Sequence, residues 1–180
     1  MKINNPTCLH KLDSGIESQD VIVEKKTYGQ LKSAFNSIDE SIPEDTVMYE
    51  VERISVEDSD VLHGLTKIYP ILVNGECNMT KGHFHANDEI GEFYYCKKGK
   101  GLLMLMDKEG NTYAQKMFPG SVHLIPVKTA HRCINTSSNE VLEIACIWTK
   151  LAGYDYDYIV EHPFKNRVYL ENGEMIIKWV

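Results

Sequence analysis

From Thr46 to the end of the chain, turn signals recur at intervals of roughly ten residues between short β-type runs, and this limits the chain to an all-β barrel or sandwich. Residues 47–54 alternate in part, and 65–69 follow an acidic loop at 57–60. Residues 90–96 and 101–106 flank a turn at 97–100, and Lys108-Glu109-Gly110-Asn111 leads into 112–117. Pro119-Gly120 opens 121–125, 132–135 follow, and 140–148 form a long apolar run. Asn172-Gly173, between 168–170 and 175–179, has the chemistry of a two-residue hairpin turn.

The N-terminal part reads differently. Residues 1–18 are polar and weakly patterned, an arm on the surface, and 20–24 form a short strand. Thr27-Tyr28-Gly29-Gln30 has capping-box spacing ahead of Leu31, Ala34 and Phe35, which share a helical face; this predicts one helix over 28–37. The 180 residues are read as a single domain, long enough for a sizeable core, with a barrel over 45–150, an arm and helix over 1–44 and further strands over 151–180.

A net charge of −7 argues against nucleic acid or an anionic membrane as the main partner. It leaves an anionic small substrate open, because a local cation and oriented amides outweigh a diffuse distant charge. No apolar leader or membrane-length window is present. The five cysteines are scattered without a Cys-x-x-Cys pair, mostly inside apolar runs, which suits a reducing cytoplasm.

The chemistry concentrates in one stretch. His83 and His85 lie two apart, so an extended strand points both imidazoles to one side. Glu92 follows at a distance that lets a turn and a second strand return its carboxylate, and His131 offers a third imidazole. Such a set suits one divalent first-row transition metal; iron(II), the first expectation, manganese, zinc and nickel all accept it, and the donor set does not choose among them. By itself His-x-His is a weak signal, since surface histidines often meet at that spacing.

Two further patterns sharpen it. Glu92 leads to the turn glycine Gly99, and downstream come Gly120, Pro126, His131 and Asn135 in order. Together these resemble the two halves of the cupin signature, which implies a double-stranded β-helix (jelly-roll) barrel, here with a short N-terminal helix and extra edge strands. The match has departures: Cys77 and Lys128 stand where that signature has glycines, and its usual spacing would select Glu89. Glu92 is preferred because it alone has the right distance to Gly99; Glu89 is the rival.

A longer resemblance contains the first. Thr80-Lys81-Gly82-His83-Phe84-His85-Ala86, Glu92-x-Tyr94, Gly99-Lys100-Gly101, Ala130-His131-Arg132 and Ala152-Gly153-Tyr154-Asp155-Tyr156 together resemble the cupin-type glucose-6-phosphate isomerases over about residues 45–160. The resemblance implies metal ligation by His83, His85, Glu92 and His131, and a phosphate held by Thr66, Thr80, Gly82 and Tyr94. Tyr49 and Tyr156 match positions lining the sugar pocket, with Glu92 and Tyr156 as the catalytic pair. Tyr154 stands where the family commonly has a histidine, and Trp148 where it has a tyrosine; Tyr154 is counted with the substrate-binding residues. Lys81, of opposite parity to Thr80 and Gly82, is expected to face solvent. The resemblance also implies a homodimer.

These features predict interconversion of glucose 6-phosphate and fructose 6-phosphate, a step of glycolysis and gluconeogenesis, with a small phosphorylated sugar as the partner. Moving the carbonyl from C1 to C2 calls for a Lewis acid and for a base or a hydride shift. A non-catalytic sugar-phosphate-binding cupin and a metal-dependent cupin oxygenase are the alternatives. Tyr154, Tyr156 and Tyr158 also alternate as one face of an edge strand would. His123 reads as structural, and His10, His63 and His162 are assigned nothing.

Overall fold

The computed structural model describes residues 1–180. A six-stranded antiparallel sheet runs in the order Val122–Ile125, Glu92–Lys98, Leu142–Thr149, Val61–Ile68, Val47–Ser55, Ile22–Thr27. A second layer holds Thr112–Met117, Gly101–Met106 and Ala130–Asn135, continued by a sheet of Glu174–Trp179, Asn166–Glu171, Glu76–Cys77 and Leu72–Val73. Bridges from Met79 to Ile134 and from His83 to His131 zip the intervening segment onto the Ala130–Asn135 strand. This is the expected all-β jelly roll, closed around one core.

Burial follows sequence pattern. Gly101–Met106, an unbroken apolar run, is buried at every position. Leu142–Thr149 alternates, sending Leu142, Ile144, Cys146 and Trp148 inward. Period two also puts Tyr49 with Val51 and Arg53, Thr66 with Leu62, and Glu92 with Tyr94 on the inner face near one end of the barrel. That end is where the polar inward residues gather.

The structure changes the expectations in three places. Residues 9–17 lie on the surface as expected, but as an ordered hairpin: Leu9–Lys11 pairs with Gly15–Glu17, and the pair docks on the outer face of the large sheet. The Ile16 amide donates to Glu52 Oε2 at 2.8 Å, and His10 Nδ1 meets His63 Nε2 at 3.0 Å. The helix is shorter than 28–37, with α-helix over Tyr28–Leu31 and a 3-10 turn over Lys32–Ala34. Its capping box is present and Tyr28, Leu31 and Phe35 are buried, so the apolar spacing marked the right face. The last turn is lost because Phe35 is extended and the Asn36 amide donates to Glu76 Oε2 at 2.8 Å, a tertiary partner replacing a helical carbonyl.

The three alternating tyrosines do not form a strand. Asp155 bridges Phe84, its amide donating to the Phe84 carbonyl at 2.8 Å. Asp155 Oδ1 then accepts from the Tyr158 amide at 3.1 Å and opens a short helix, Asp157–Glu161, inside the region read as strands. Tyr154 and Tyr156 still face the barrel mouth, whereas Tyr158 packs edge-on against Phe84 at 4.8 Å. No helix is long and apolar enough to cross a membrane.

Candidate metal centre and substrate pocket

His83 and His131 exchange backbone hydrogen bonds of 3.2 and 3.1 Å, a pairing that brings their rings to 4.5 Å. His85, two residues on, lies 5.2 Å from the His131 ring, while Phe84 between them turns outward into the core. Glu92, the first residue of its strand, enters from the opposite sheet and sets Oε2 3.2 Å from His85 Nε2 and 3.2 Å from His131 Nε2. One ligand atom from each of the four side chains lies within 4.8 Å of all the others. Glu89 is outside this group, exposed and paired with Lys128 at 2.7 Å.

The protonation states suit a cation. Burial raises the Glu92 pKa, but the imidazoles of His131 and His85 outweigh it and hold the carboxyl at about 2, ionised at neutral pH. Burial, then His131, pushes His83 well below the usual histidine range, leaving it neutral. Against burial, hydrogen bonds with Glu92 and Ile90 raise His85. Its Nδ1 lies 2.6 Å from the Ile90 carbonyl, which accepts the ring proton and aims Nε2 at the centre. His83 Nε2 and both His131 ring nitrogens are buried without a hydrogen bond; His131 Nε2 approaches Glu92 outside hydrogen-bonding angles. Buried polar atoms left without partners are costly, and a divalent ion would satisfy nitrogens converging on one carboxylate. The donor set therefore fits a metal.

A cavity of about 480 Å³, within the range of small-ligand sites, opens beside this cluster. Tyr49, Thr66, Thr80, Gly82, Tyr94, Tyr154 and Tyr156 all line it together with His83, Glu92 and His131. Thr80 Oγ1 accepts from the Cys133 amide at 3.0 Å, which leaves its own proton to donate into the cavity. Tyr154 and Tyr156 stack at 5.7 Å, and Tyr154 stands edge-on to His83 at 4.8 Å. Burial raises Tyr154 to about 12 and Tyr94 well above the ordinary range, so both are protonated donors at neutral pH.

Lys81 does not simply face solvent. It is half-buried on the cavity wall, its ammonium 5.0 Å from the Tyr156 ring centroid. Parity failed here because Thr80–Gly82 is no strand: Gly82 has φ +80°, which breaks the alternation. Lys26, Arg53 and Lys150 also reach the cavity rim, with Glu24 as the opposing charge; Arg53 pairs with Glu24 at 3.0 Å. Arg53 was readable from its parity with Tyr49, whereas Lys26 and Lys150 carried no such signal. His123 is buried and bonded to Ser121 and Gln115 at 2.9 and 2.7 Å, a structural role. Behind the Thr80–Gly82 wall lies Arg132, 3% exposed, a member of the Ala130-His131-Arg132 motif to which the sequence assigned no role of its own. Burial, then Arg167, lowers its pKa to about 9, still charged at neutral pH.

A double-stranded β-helix with three histidines and a glutamate converging inside one end makes this protein a cupin. The model of the family "Glucose-6-phosphate isomerase (GPI)" matches residues 24–179. Glucose-6-phosphate isomerase of Thermococcus onnurineus is 40% identical over 154 residues, covering 82% of this chain and 79% of that one. The Thermococcus kodakarensis protein of the same name is 40% identical over 152 residues, 83% and 78% of the two chains. The chain belongs to the cupin-type glucose-6-phosphate isomerase family. A mutant of Bacillus subtilis oxalate decarboxylase superposes with a TM-score of 0.49 at 20% identity, over 64% of this chain and 29% of that one.

Proposed function

We propose that this chain is a metal-dependent aldose–ketose isomerase that interconverts glucose 6-phosphate and fructose 6-phosphate. The observation that carries the reading is the set of His83, His85, Glu92 and His131 donor atoms within 4.8 Å of one another, on the wall of a cavity sized for a small ligand. Membership in the isomerase family supplies the substrate pair.

These four residues would hold one divalent ion, with iron(II) the first candidate, and the ion when bound would supply Lewis-acid polarisation of the substrate carbonyl. Thr66, Thr80, Tyr94 and the Gly82 amide hold the phosphate by donated hydrogen bonds. Tyr49, Tyr154 and Tyr156 orient the sugar and keep water out. Glu92, ionised and facing the cavity, takes the hydrogen from C2 as a proton and returns it to C1 while the hydroxyl proton passes from O2 to O1. Tyr156, a protonated phenol beside this path, steadies the oxygen whose proton moves. The chain works as one unit, since the site draws on strands from both layers.

Four buried free cysteines support a reducing cytoplasm, where the reaction serves glycolysis and gluconeogenesis. Val61, Val122, Leu124 and Ile147, exposed on the outer face of the large sheet, support homodimer formation through that face.

A coupled isomerase assay on metal-loaded protein tests the reading. Glu92→Gln and His131→Ala should each lower turnover by roughly a hundredfold or more, on the scale of a lost acid–base group. Native rates in both variants would refute the site. Running the reaction in deuterated water separates the two routes: label at C1 or C2 of product is expected, and its complete absence counts against Glu92 as base and for a hydride shift.

A further inference from the structure

The Arg132 side chain is anomalous. It lies on the Ala130–Asn135 strand with parity opposite to His131, so it points away from the cavity into the core. It forms no ion pair: Glu76, a carboxylate that acts on it, is bound to Arg167 at 3.2 Å and accepts the Asn36 amide. Its neighbours are a thioether, Met79 Sδ at 3.0 Å, and the Phe164 ring at 4.4 Å. Nε has no partner. Two guanidiniums with little exposure, Arg132 and Arg167, thus share the single carboxylate of Glu76, and a buried positive charge left in excess is destabilising, so the cluster calls for an anion supplied from elsewhere.

The geometry indicates where. Arg132 Nη2 donates to the Lys81 carbonyl at 2.7 Å, the carbonyl of the peptide whose nitrogen belongs to Gly82. That Gly82 amide makes no hydrogen bond within the chain, and Gly82 lines the cavity. A Cβ at Gly82 would stand 3.1 Å from Arg132 Nε and 3.1 Å from its Cβ, so the guanidinium is packed directly behind the loop. A charged donor on one end of a peptide polarises it and strengthens the N–H at the other. We infer that Arg132 is a positioning residue for the anionic end of the substrate: it fixes the Lys81–Gly82 peptide and places an unbalanced positive charge behind it, which the substrate phosphate neutralises from the cavity side. The inference rests on the assignment of Thr80 and Gly82 to the phosphate.

The test compares Arg132→Gln, which keeps a donor for the Lys81 carbonyl without the charge, with Arg132→Lys, which keeps the charge. Both are measured beside Thr80→Ala on protein with native metal content. Binding of inorganic phosphate by calorimetry and KM against kcat for fructose 6-phosphate are the readouts. Arg132→Gln should weaken phosphate binding and raise KM by about tenfold, the scale of a charge-assisted contact, with kcat within about threefold. Arg132→Lys should stay within about threefold of native on phosphate binding. Equal losses in the two Arg132 variants, or none in Arg132→Gln while Thr80→Ala loses phosphate, overturn the inference and leave the phosphate assignment standing. Native phosphate binding in Thr80→Ala as well overturns that assignment. If Arg132→Gln does not fold, Arg132→Lys decides alone: near-native phosphate binding supports the charge, and a loss matching Thr80→Ala refutes it.

Discussion

At the scale of single residues, the departures from the cupin signature have physical content. Lys128, standing where a glycine is expected, has φ +58°, the left-handed region that a side chain resists. Its amide donates to the Asp88 carbonyl at 2.7 Å, which explains why the backbone holds this shape in spite of the side chain. Lys128→Gly should therefore raise stability by up to about 1 kcal/mol, since relief of roughly 1–2 kcal/mol of strain exceeds the added unfolded-state entropy. Urea denaturation checks this, and a lower midpoint would contradict it. Cys77, in the other glycine position, has no positive φ and is wholly buried, so the fold does not need glycine there. Gly82 is the opposite case. With φ +80° and Arg132 packed against the missing Cβ, Gly82→Ala is strained twice over and should raise KM for fructose 6-phosphate at least about tenfold. An unchanged KM would remove the close approach at Gly82 from the account.

At the scale of elements, the strands were legible and the irregular segments were not. Turn chemistry located Gly101–Met106 and Thr112–Met117 to the residue, because the turns at 97–100 and Lys108–Asn111 bound an unbroken apolar run on one side and a mixed one on the other. The clustering of His83, His85, Glu92 and His131 was legible too: parity, a turn and one distant strand suffice to bring them together. The N-terminal hairpin and the Asp157–Glu161 helix were hidden, since each is defined by contacts with residues far away in sequence, Glu52 and His63 for one and Phe84 for the other. Arg132 was hidden because its meaning lies in what it lacks, a counter-ion. The hairpin yields a pH prediction. Burial lowers the His10 pKa, His63 and Lys97 lower it further, and Glu52 and Glu143 partly oppose them. A folded-state pKa below the unfolded value of about 6.5 means that the undocked hairpin binds the proton better, so docking weakens as pH falls through that value. Hydrogen exchange at the Ile16 amide, corrected for its intrinsic pH dependence, should show less protection at pH 5.5 than at pH 7.5. Equal protection would contradict the sign.

At the scale of the whole molecule, stability and chemistry meet at the same end of the barrel. The large sheet contributes Glu92 and Thr66, the smaller layer His131, and the connecting segment Thr80 through His85, so a ligand at the centre ties the layers together. An ion bound at a thousand times its dissociation constant stabilises the fold by about 4 kcal/mol, so chelation should lower the melting temperature as well as the rate. A core change far from the site separates the two effects. Leu103→Ala, at a wholly buried position of the Gly101–Met106 strand, should cost about 2–5 kcal/mol of stability while the metal content of the folded protein stays native. The most direct measurement is isomerisation of fructose 6-phosphate by the purified chain as its metal is removed and restored, with bound metal quantified at each step. The expected result is a rate that falls in proportion to metal lost and returns on adding iron(II) or manganese(II). A full rate from protein shown to be metal-free would contradict the assignment of His83, His85, Glu92 and His131.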